Sequence, residues 1–155
     1  MIDNSMKTVS ESATTQVQIL TQANLNGYQR LFGGQLMSWM DIVAAVTARR
    51  HSGKNVTTAC VDKLEFHKPA HANDTLVLTG EVEYVGRTSM DVRVQVYVEE
   101  LTGRRELINI AHFTMVALDE NERPAEVPGL LIETEEQRQW WDAAEERKRR
   151  RGARK

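Results

Sequence analysis

One acidic side chain lies inside an apolar segment of this chain. The segment GGQLMSWMDIVAA, residues 33–45, has the apolar spacing of a core-facing helix, and Asp41 is its single acid. An aspartate is normally ionised at neutral pH, so it can take a proton from water or attack a carbonyl itself. The structural alternative places Asp41 in water at the edge of the apolar face, because aspartate is rarely buried without a partner.

Two glycines, Gly33 and Gly34, precede this helix and form a second candidate group. Glycine lets a ligand approach the backbone, and the free N–H groups of a first helical turn favour negative charge. A carbonyl oxygen that becomes an oxyanion would be stabilised there. Asn26, in the polar loop upstream, can aim an amide at the same place. A tight turn and local loop chemistry are the structural alternatives for these three residues.

Other common chemistries lack their signatures in this sequence. His67 and His71 are four residues apart but straddle Pro69 in a loop, so we predict no metal site. Nucleophile-elbow, P-loop and dinucleotide-binding glycine patterns do not occur. Cys60 is the single cysteine, which excludes an internal disulfide and favours a cytoplasmic protein. We expect no secretory signal and no membrane span, because the longest apolar run covers only residues 42–46.

The elements that must position these residues follow from the periodicity of apolar side chains. We expect disorder at 1–13, a short strand at 15–20, a helix at 34–50, strands at 56–66, 75–85, 89–100 and 106–118, and a terminal helix at 133–151. Short connections between the later strands favour antiparallel neighbours. The predicted class is therefore α+β, with one long central helix wrapped by an antiparallel sheet of five or so strands and an extra C-terminal helix.

Four segments of the chain, in this order, resemble the hot-dog fold acyl-CoA thioesterases, and in particular the bacterial acyl-CoA hydrolases related to the brain acyl-CoA hydrolase. They are ANLNGYQRLFGGQLMSWMD, NVTTACVDKLEF, VGRTSMDV and FTMVALDENERPAEVP. The resemblance implies a hot-dog thioesterase domain, which we assign to residues 14–130, and it leaves a C-terminal helix with a basic tail at 131–155. It also implies an enzyme of fatty acid metabolism that hydrolyses acyl-CoA to the free acid and coenzyme A without a cofactor.

Carried over by motif, the resemblance implies that Asp41 is the catalytic carboxylate and that Asn26 positions water or the carbonyl. Gly33 and Gly34 would form the carbonyl site at the helix start. Asp41 would either activate water as a general base or attack the thioester directly to give an anhydride. The sequence leaves both routes open.

The resemblance further implies a coenzyme A site. Its residues would be Thr58, Ala59, Arg87, Thr88 and Ser89. Arg87 suits a pyrophosphate or a 3′-phosphate, because the guanidinium fork matches phosphate geometry. The alternative for Arg87 is an ordinary exposed cation in a turn.

We also expect a homo-oligomer, with a dimer as the minimum and a hexamer of three dimers as the full assembly. A single protomer of this fold leaves a sheet edge unpaired, and a twofold dimer covers such an edge. Ala44, Ala45 and Ala48 are small enough for close packing of two helices. The loop that carries Asn26 could then reach the Asp41 of a partner.

The same fold can serve two other functions. A non-catalytic acyl-CoA-binding regulator could contact DNA through the tail RKRRRGARK at 147–155, which carries seven basic residues in a chain of net charge −2. No helix-turn-helix or zinc module accompanies that tail, so we expect no specific nucleic-acid binding, and a solvated helix end is the simpler interpretation. A dehydratase would place a histidine near the helix start, and residues 24–50 contain none.

Overall fold

The computed structural model describes residues 6–153. Its helices and strands, in chain order, are β1 (Met6–Thr8), α1 (Val9–Ser12), β2 (Thr14–Ile19), α2 (Gly33–Ser52), β3 (Asn55–Phe66), β4 (Thr75–Val85), β5 (Ser89–Glu99), β6 (Arg105–Leu118), β7 (Gly129–Leu131) and α3 (Glu135–Ala153). None of the described helices is long and apolar enough to cross a membrane.

The five longer strands form one sheet in the order β2-β4-β5-β6-β3. Every pair of neighbours in this sheet is antiparallel, as the short turns from β4 to β5 and from β5 to β6 require. Helix α2 packs on one face of the sheet, which we call the inner face, and contacts all five strands. This arrangement is the hot-dog fold, and the α+β prediction is confirmed.

Helix α2 owes its position to one apolar face. Its buried residues are Leu36, Met40, Val43, Ala44, Thr47, Ala48, His51 and Ser52. They include the spacing of three and four residues that marks a core-facing helix. The helix ends at Ser52 and is capped by Gly53, whose φ of 70° is left-handed and whose N–H donates to the Arg49 carbonyl at 2.8 Å. It starts one residue earlier and ends two residues later than the sequence pattern predicts.

The N-terminal segment differs from our expectation of disorder at 1–13. Residues 6–13 are ordered, because β1 pairs in parallel with β7 and α1 carries a reciprocal cap between Thr8 and Glu11. Val9 and Ser12 are buried. The pairing joins two segments more than 120 residues apart in the chain, so no local pattern announces it. Residues 1–5 lie outside the described part of the chain.

The opposite face of the sheet, which we call the outer face, is covered in part by α3. Two tryptophans of α3 make the contacts: Trp141 packs on Tyr84 with ring centroids 4.4 Å apart, and the guanidinium of Arg93 lies 4.2 Å from the ring centroid of Trp140. Ala144 of α3 is fully buried. The outer face of β4 and β5 is therefore a second packing surface.

A buried ion cluster joins α3 to this outer face. The Glu83 carboxylate, whose side chain is fully buried, accepts a hydrogen bond from Arg147 at 2.8 Å and lies 2.5 Å from Nδ1 of His112. Arg93 adds a third contact at 3.6 Å. One turn further along α3, Arg151 contacts Cys60 and Thr114. Two arginines of the basic tail thus bind this protein's own sheet.

Candidate active site

The Asp41 carboxylate is held by a residue of the neighbouring edge strand. Asp41 lies partly buried on α2, and the hydroxyl of Thr58 on β3 donates to its Oδ1 at 2.6 Å. The alternative in which Asp41 only contacts water is therefore not what the structure shows. Within the described residues, the other carboxylate oxygen, Oδ2, has no hydrogen-bond partner in the protein.

A bulge in β3 sets the direction of Thr58. Thr58 lies opposite Met115 on β6, and the next aligned pair is Cys60 with Thr114, so Ala59 is the extra residue. Such a bulge re-aims the side chains on either side of it. As a result Thr58 points to α2 on the inner face, whereas Cys60 contacts Arg151 of α3 on the outer face.

The first turn of α2 offers two backbone donors. The carbonyl of Phe32 accepts from the N–H groups of Gln35 and Leu36, at 3.0 and 3.1 Å. Within the described residues the N–H groups of Gly33 and Gly34 have no backbone partner. A Cβ on Gly34 would lie 2.7 Å from the Phe32 ring, so only glycine fits there without a shift. The helix start can therefore stabilise a negatively charged oxygen.

The loop before α2 is folded by Asn26. Its Oδ1 accepts from the N–H groups of Tyr28 and Arg30, at 2.8 and 3.3 Å. The turn chemistry that we considered as the alternative for Asn26 is thus present, but it uses only Oδ1 and leaves the amide Nδ2 as a donor. Asn24 is different, because its Oδ1 caps the N–H of Thr21.

Asn26 and Gly33 line the same cavity, of about 390 Å³. It lies between the start of α2, the last residue of β3 and the first part of β6. Its walls include Leu31, Leu36, Phe66 and Ile108. Its volume falls in the range of about 300–1,000 Å³ that is common for small-molecule sites. The structure thus brings the Asn26 amide and the helix start together beside this cavity.

Asp41 and Thr58 do not line this cavity. Eight residues separate Gly33 from Asp41 on α2, which corresponds to about 12 Å at 1.5 Å per residue. A single carbonyl group cannot contact both places at once. Within one protomer the candidate residues therefore form two separate groups, Asn26 with Gly33 and Asp41 with Thr58, which we call the two half-sites.

The predicted coenzyme A residues Arg87, Thr88 and Ser89 lie in the turn from β4 to β5. The Arg87 side chain is 81% exposed and its Nη1 is 3.9 Å from Oε1 of Glu126. At that distance and exposure the pair binds Arg87 weakly. Ser89 is aligned with Val116 of β6, which is aligned with Thr57 of β3. The turn is therefore two strands, or about 10 Å, from the Thr58–Ala59 bulge.

Two cavity residues were not predicted from the sequence. Phe66, the last residue of β3, has its ring 3.5 Å from the position of a Cβ on Gly33. Asn109 on β6 is almost fully buried and also lines the cavity. The signal for Asn109 is its place as the one polar member of an alternating series that continues with Ala111, Phe113 and Met115. No cluster of metal ligands is found among the described residues.

The family follows from comparison with known proteins. A model of the thioesterase superfamily matches residues 28–103. An acyl-CoA thioester hydrolase of Bacillus subtilis is 40% identical over 128 residues, which is 82% of this chain and 74% of the relative. The chain belongs to the thioesterase superfamily.

Solved structures agree with this assignment. An acyl-CoA hydrolase from Staphylococcus aureus, in complex with butyryl coenzyme A, coenzyme A and coenzyme A disulfide, has a TM-score of 0.91 and 35% identity, with 96% of this chain and 92% of that chain covered. A hexameric acyl-CoA thioesterase without ligand has a TM-score of 0.92 and 36% identity, with 97% of each chain covered. The S. aureus protein has also been solved with alanine in place of one aspartate, one asparagine and one threonine.

Proposed function

We propose that this protein is an acyl-CoA hydrolase in which Asp41 acts on the thioester carbonyl from one protomer and Asn26 acts from the other. The observation that carries the proposal is the hydrogen bond from Thr58 to Oδ1 of Asp41. It fixes the carboxylate in one orientation and leaves Oδ2 for water or the carbonyl carbon. Orientation of a reacting group is a large part of catalysis.

In the first route Oδ2 of Asp41 takes a proton from water, and the hydroxide attacks the carbonyl carbon. The tetrahedral oxyanion is stabilised by the N–H groups of Gly33 and Gly34 and by Nδ2 of Asn26, a contribution of about 3 kcal/mol for each donor. Collapse breaks the C–S bond, and the thiolate of coenzyme A takes the proton from Asp41 and leaves as the free thiol. In the second route Oδ2 attacks the carbon directly, the C–S bond breaks to release the thiolate of coenzyme A, and water then hydrolyses the anhydride to the free acid and the Asp41 carboxylate.

The sheet edge explains how the two half-sites meet. Strand β3 is at the edge of the sheet, and most of its residues are exposed or partly exposed in the protomer. Pairing β3 antiparallel with a second copy places the Phe66 end of one strand beside the Thr58 end of the other. Since the Phe66 ring lies close to Gly33, the helix start of one protomer then lies near the Asp41 of its partner. A twofold dimer forms two such sites.

The solved variants of the S. aureus hydrolase support these assignments. Its replaced asparagine and aspartate are 15 residues apart, and its replaced threonine follows 17 residues later. Asn26, Asp41 and Thr58 have the same spacing. We assign the same three positions to the site of this protein.

Coenzyme A would lie along the Thr58–Ala59 bulge toward the turn from β4 to β5. Thr88 and Ser89 can donate hydroxyl hydrogen bonds there, and Arg87 can pair with a phosphate, because its contact with Glu126 is long and exposed. The reaction needs no cofactor, since coenzyme A is part of the substrate. We place the enzyme in the cytoplasm, as a relative named a cytosolic acyl coenzyme A thioester hydrolase suggests, and its dimers in a hexamer.

Release of free thiol tests the proposal. Purified protein is mixed with acyl-CoA substrates from acetyl to palmitoyl, and the thiol is followed with a chromogenic disulfide. We expect turnover with at least one chain length and its loss in Asp41→Asn. Acyl-CoA binding without release of thiol would instead identify a non-catalytic regulator.

A further inference from the structure

The cavity beside Gly33 is lined by apolar side chains, by the exposed residues Arg30, His67 and Lys68, and by one almost fully buried amide, that of Asn109. On β6, Asn109 is the first residue of a core-facing series. The series continues with Ala111, Phe113, Met115 and Ala117. All five are at most 1% exposed. A polar residue is rarely placed in such a series without a partner for each of its polar atoms.

Only one half of this amide is satisfied by the protein. Nδ2 of Asn109 donates to the carbonyl of Glu65 at 2.6 Å. Because that carbonyl can only accept, the orientation of the amide is determined, and the atom that remains is the acceptor Oδ1. Within the described part of the chain, Oδ1 is buried and has no hydrogen-bond partner. An acceptor kept in this state costs free energy, so a donor is expected to reach it.

The acceptor is near the half-site that would hold the carbonyl. Asn109 is aligned with Phe66 across the strand pair, and the Phe66 ring is in contact range of Gly33. Adjacent strands are about 4.8 Å apart. An acyl chain that extends from the start of α2 into the cavity therefore passes Phe66 and comes within reach of Asn109.

We propose that Asn109 selects short acyl groups that carry a hydroxyl, which would donate a hydrogen bond to its Oδ1 inside this cavity. The proposal rests on the proposed hydrolysis of acyl-CoA and names the class of acyl group. An apolar wall discriminates poorly between two chains that differ by a hydroxyl, but an unpaired acceptor favours the chain that can donate. Asn109 is thus a specificity-determining residue, and Asp41 and the helix start act equally on both kinds of substrate.

Paired substrates test this proposal. Thiol release is measured for butyryl-CoA against 3-hydroxybutyryl- and 4-hydroxybutyryl-CoA, and for pentanoyl-CoA against 5-hydroxypentanoyl-CoA. We expect kcat/KM for at least one hydroxylated substrate to exceed that of its matched acyl-CoA by about tenfold, and Asn109→Leu, which keeps the shape of the side chain, to bring the ratio to one or below. Ile108→Val, which changes an apolar wall of the same cavity, should preserve the ratio.

Each outcome is decisive. A wild-type ratio of one or below for every pair overturns the proposal, as does a high ratio that Asn109→Leu leaves unchanged. If Asn109→Leu does not fold, Asn109→Val gives the same comparison, and the wild-type ratios decide alone if both variants fail. Absence of thiol release from every substrate would contradict the hydrolase itself, whereas equal release from both members of each pair contradicts only the role of Asn109.

Discussion

The hydroxyl of Thr58 and the carboxylate of Asp41 are joined by a hydrogen bond of 2.6 Å between the edge strand and the central helix. Seventeen residues separate them in the chain, and the bulge at Ala59 turns Thr58 toward the helix. The bond assigns different tasks to the two carboxylate oxygens, because Oδ1 is occupied and Oδ2 is available.

Replacing Asp41 with Asn keeps the shape of the side chain and can keep the bond from Thr58, but it removes the base. We expect kcat to fall about 10²–10⁴-fold, as is usual when a general base is lost. The measurement is steady-state thiol release, with circular dichroism to verify the fold. Asp142→Asn, at an exposed position on α3, is the matched control and should change nothing. Near wild-type activity in Asp41→Asn would remove Asp41 from the chemistry.

Replacing Thr58 with Val removes the donor but keeps a β-branched side chain on β3. The carboxylate of Asp41 then loses its fixed orientation, and we expect kcat to fall by about 10–100-fold with a smaller change in KM. Thr58→Ser keeps a hydroxyl and should recover most of the rate. Thr57→Val, at the adjacent position of the same strand, is the control. Equal kinetics for Thr58→Val and Thr57→Val would show that the hydrogen bond has no catalytic role.

Replacing Arg87 with Ala should weaken coenzyme A binding rather than the chemical step. Because a phosphate contact is the same in the ground state and the transition state, KM should rise more than kcat falls. An acyl-pantetheine substrate, which lacks the nucleotide, should be affected little. If both substrates lose activity equally, Arg87 does not contact the nucleotide portion.

The ion cluster under α3 predicts a loss of stability for one arginine and not for its neighbour. Arg147→Met leaves the buried Glu83 without its 2.8 Å partner, and breaking a buried ion pair typically costs about 3–5 kcal/mol. Arg149→Met, on the exposed side of the same helix, should cost less than about 0.5 kcal/mol. Urea unfolding at one fixed protein concentration compares them. Equal midpoints for the two variants would mean that the cluster does not anchor α3.

The parts of this structure that were predictable have local signals. The stripe on α2 and the alternation in β5 each repeat within one element, and the meander follows from short turns between strands. The Asp41–Thr58 bond was not predictable, because it depends on the register of β3 and the bulge at Ala59. The pairing of β1 with β7 has no local signal for the same reason.

Charged residues were the least predictable from sequence. Glu83, Arg93 and His112 lie on the outer face of the sheet, and no local pattern in the sequence predicts that they meet there. They are buried because α3 returns to cover them, and Arg147 completes the cluster. The pairing of these charged side chains depends on contacts between elements that are distant in the chain. Composition alone does not predict such pairs.

Mixing two inactive variants tests the shared site most directly. Asn26→Asp keeps the Oδ1 acceptor that folds its turn but loses the Nδ2 donor, and Asp41→Asn loses the base, so each variant alone should be nearly inactive. After subunit exchange, verified by native mass spectrometry of tagged protomers, each mixed dimer should hold one site with both defects and one intact site. With random pairing, about a quarter of wild-type thiol release should return. No recovery despite verified exchange would mean that each protomer supplies both residues itself, which contradicts a site shared between protomers.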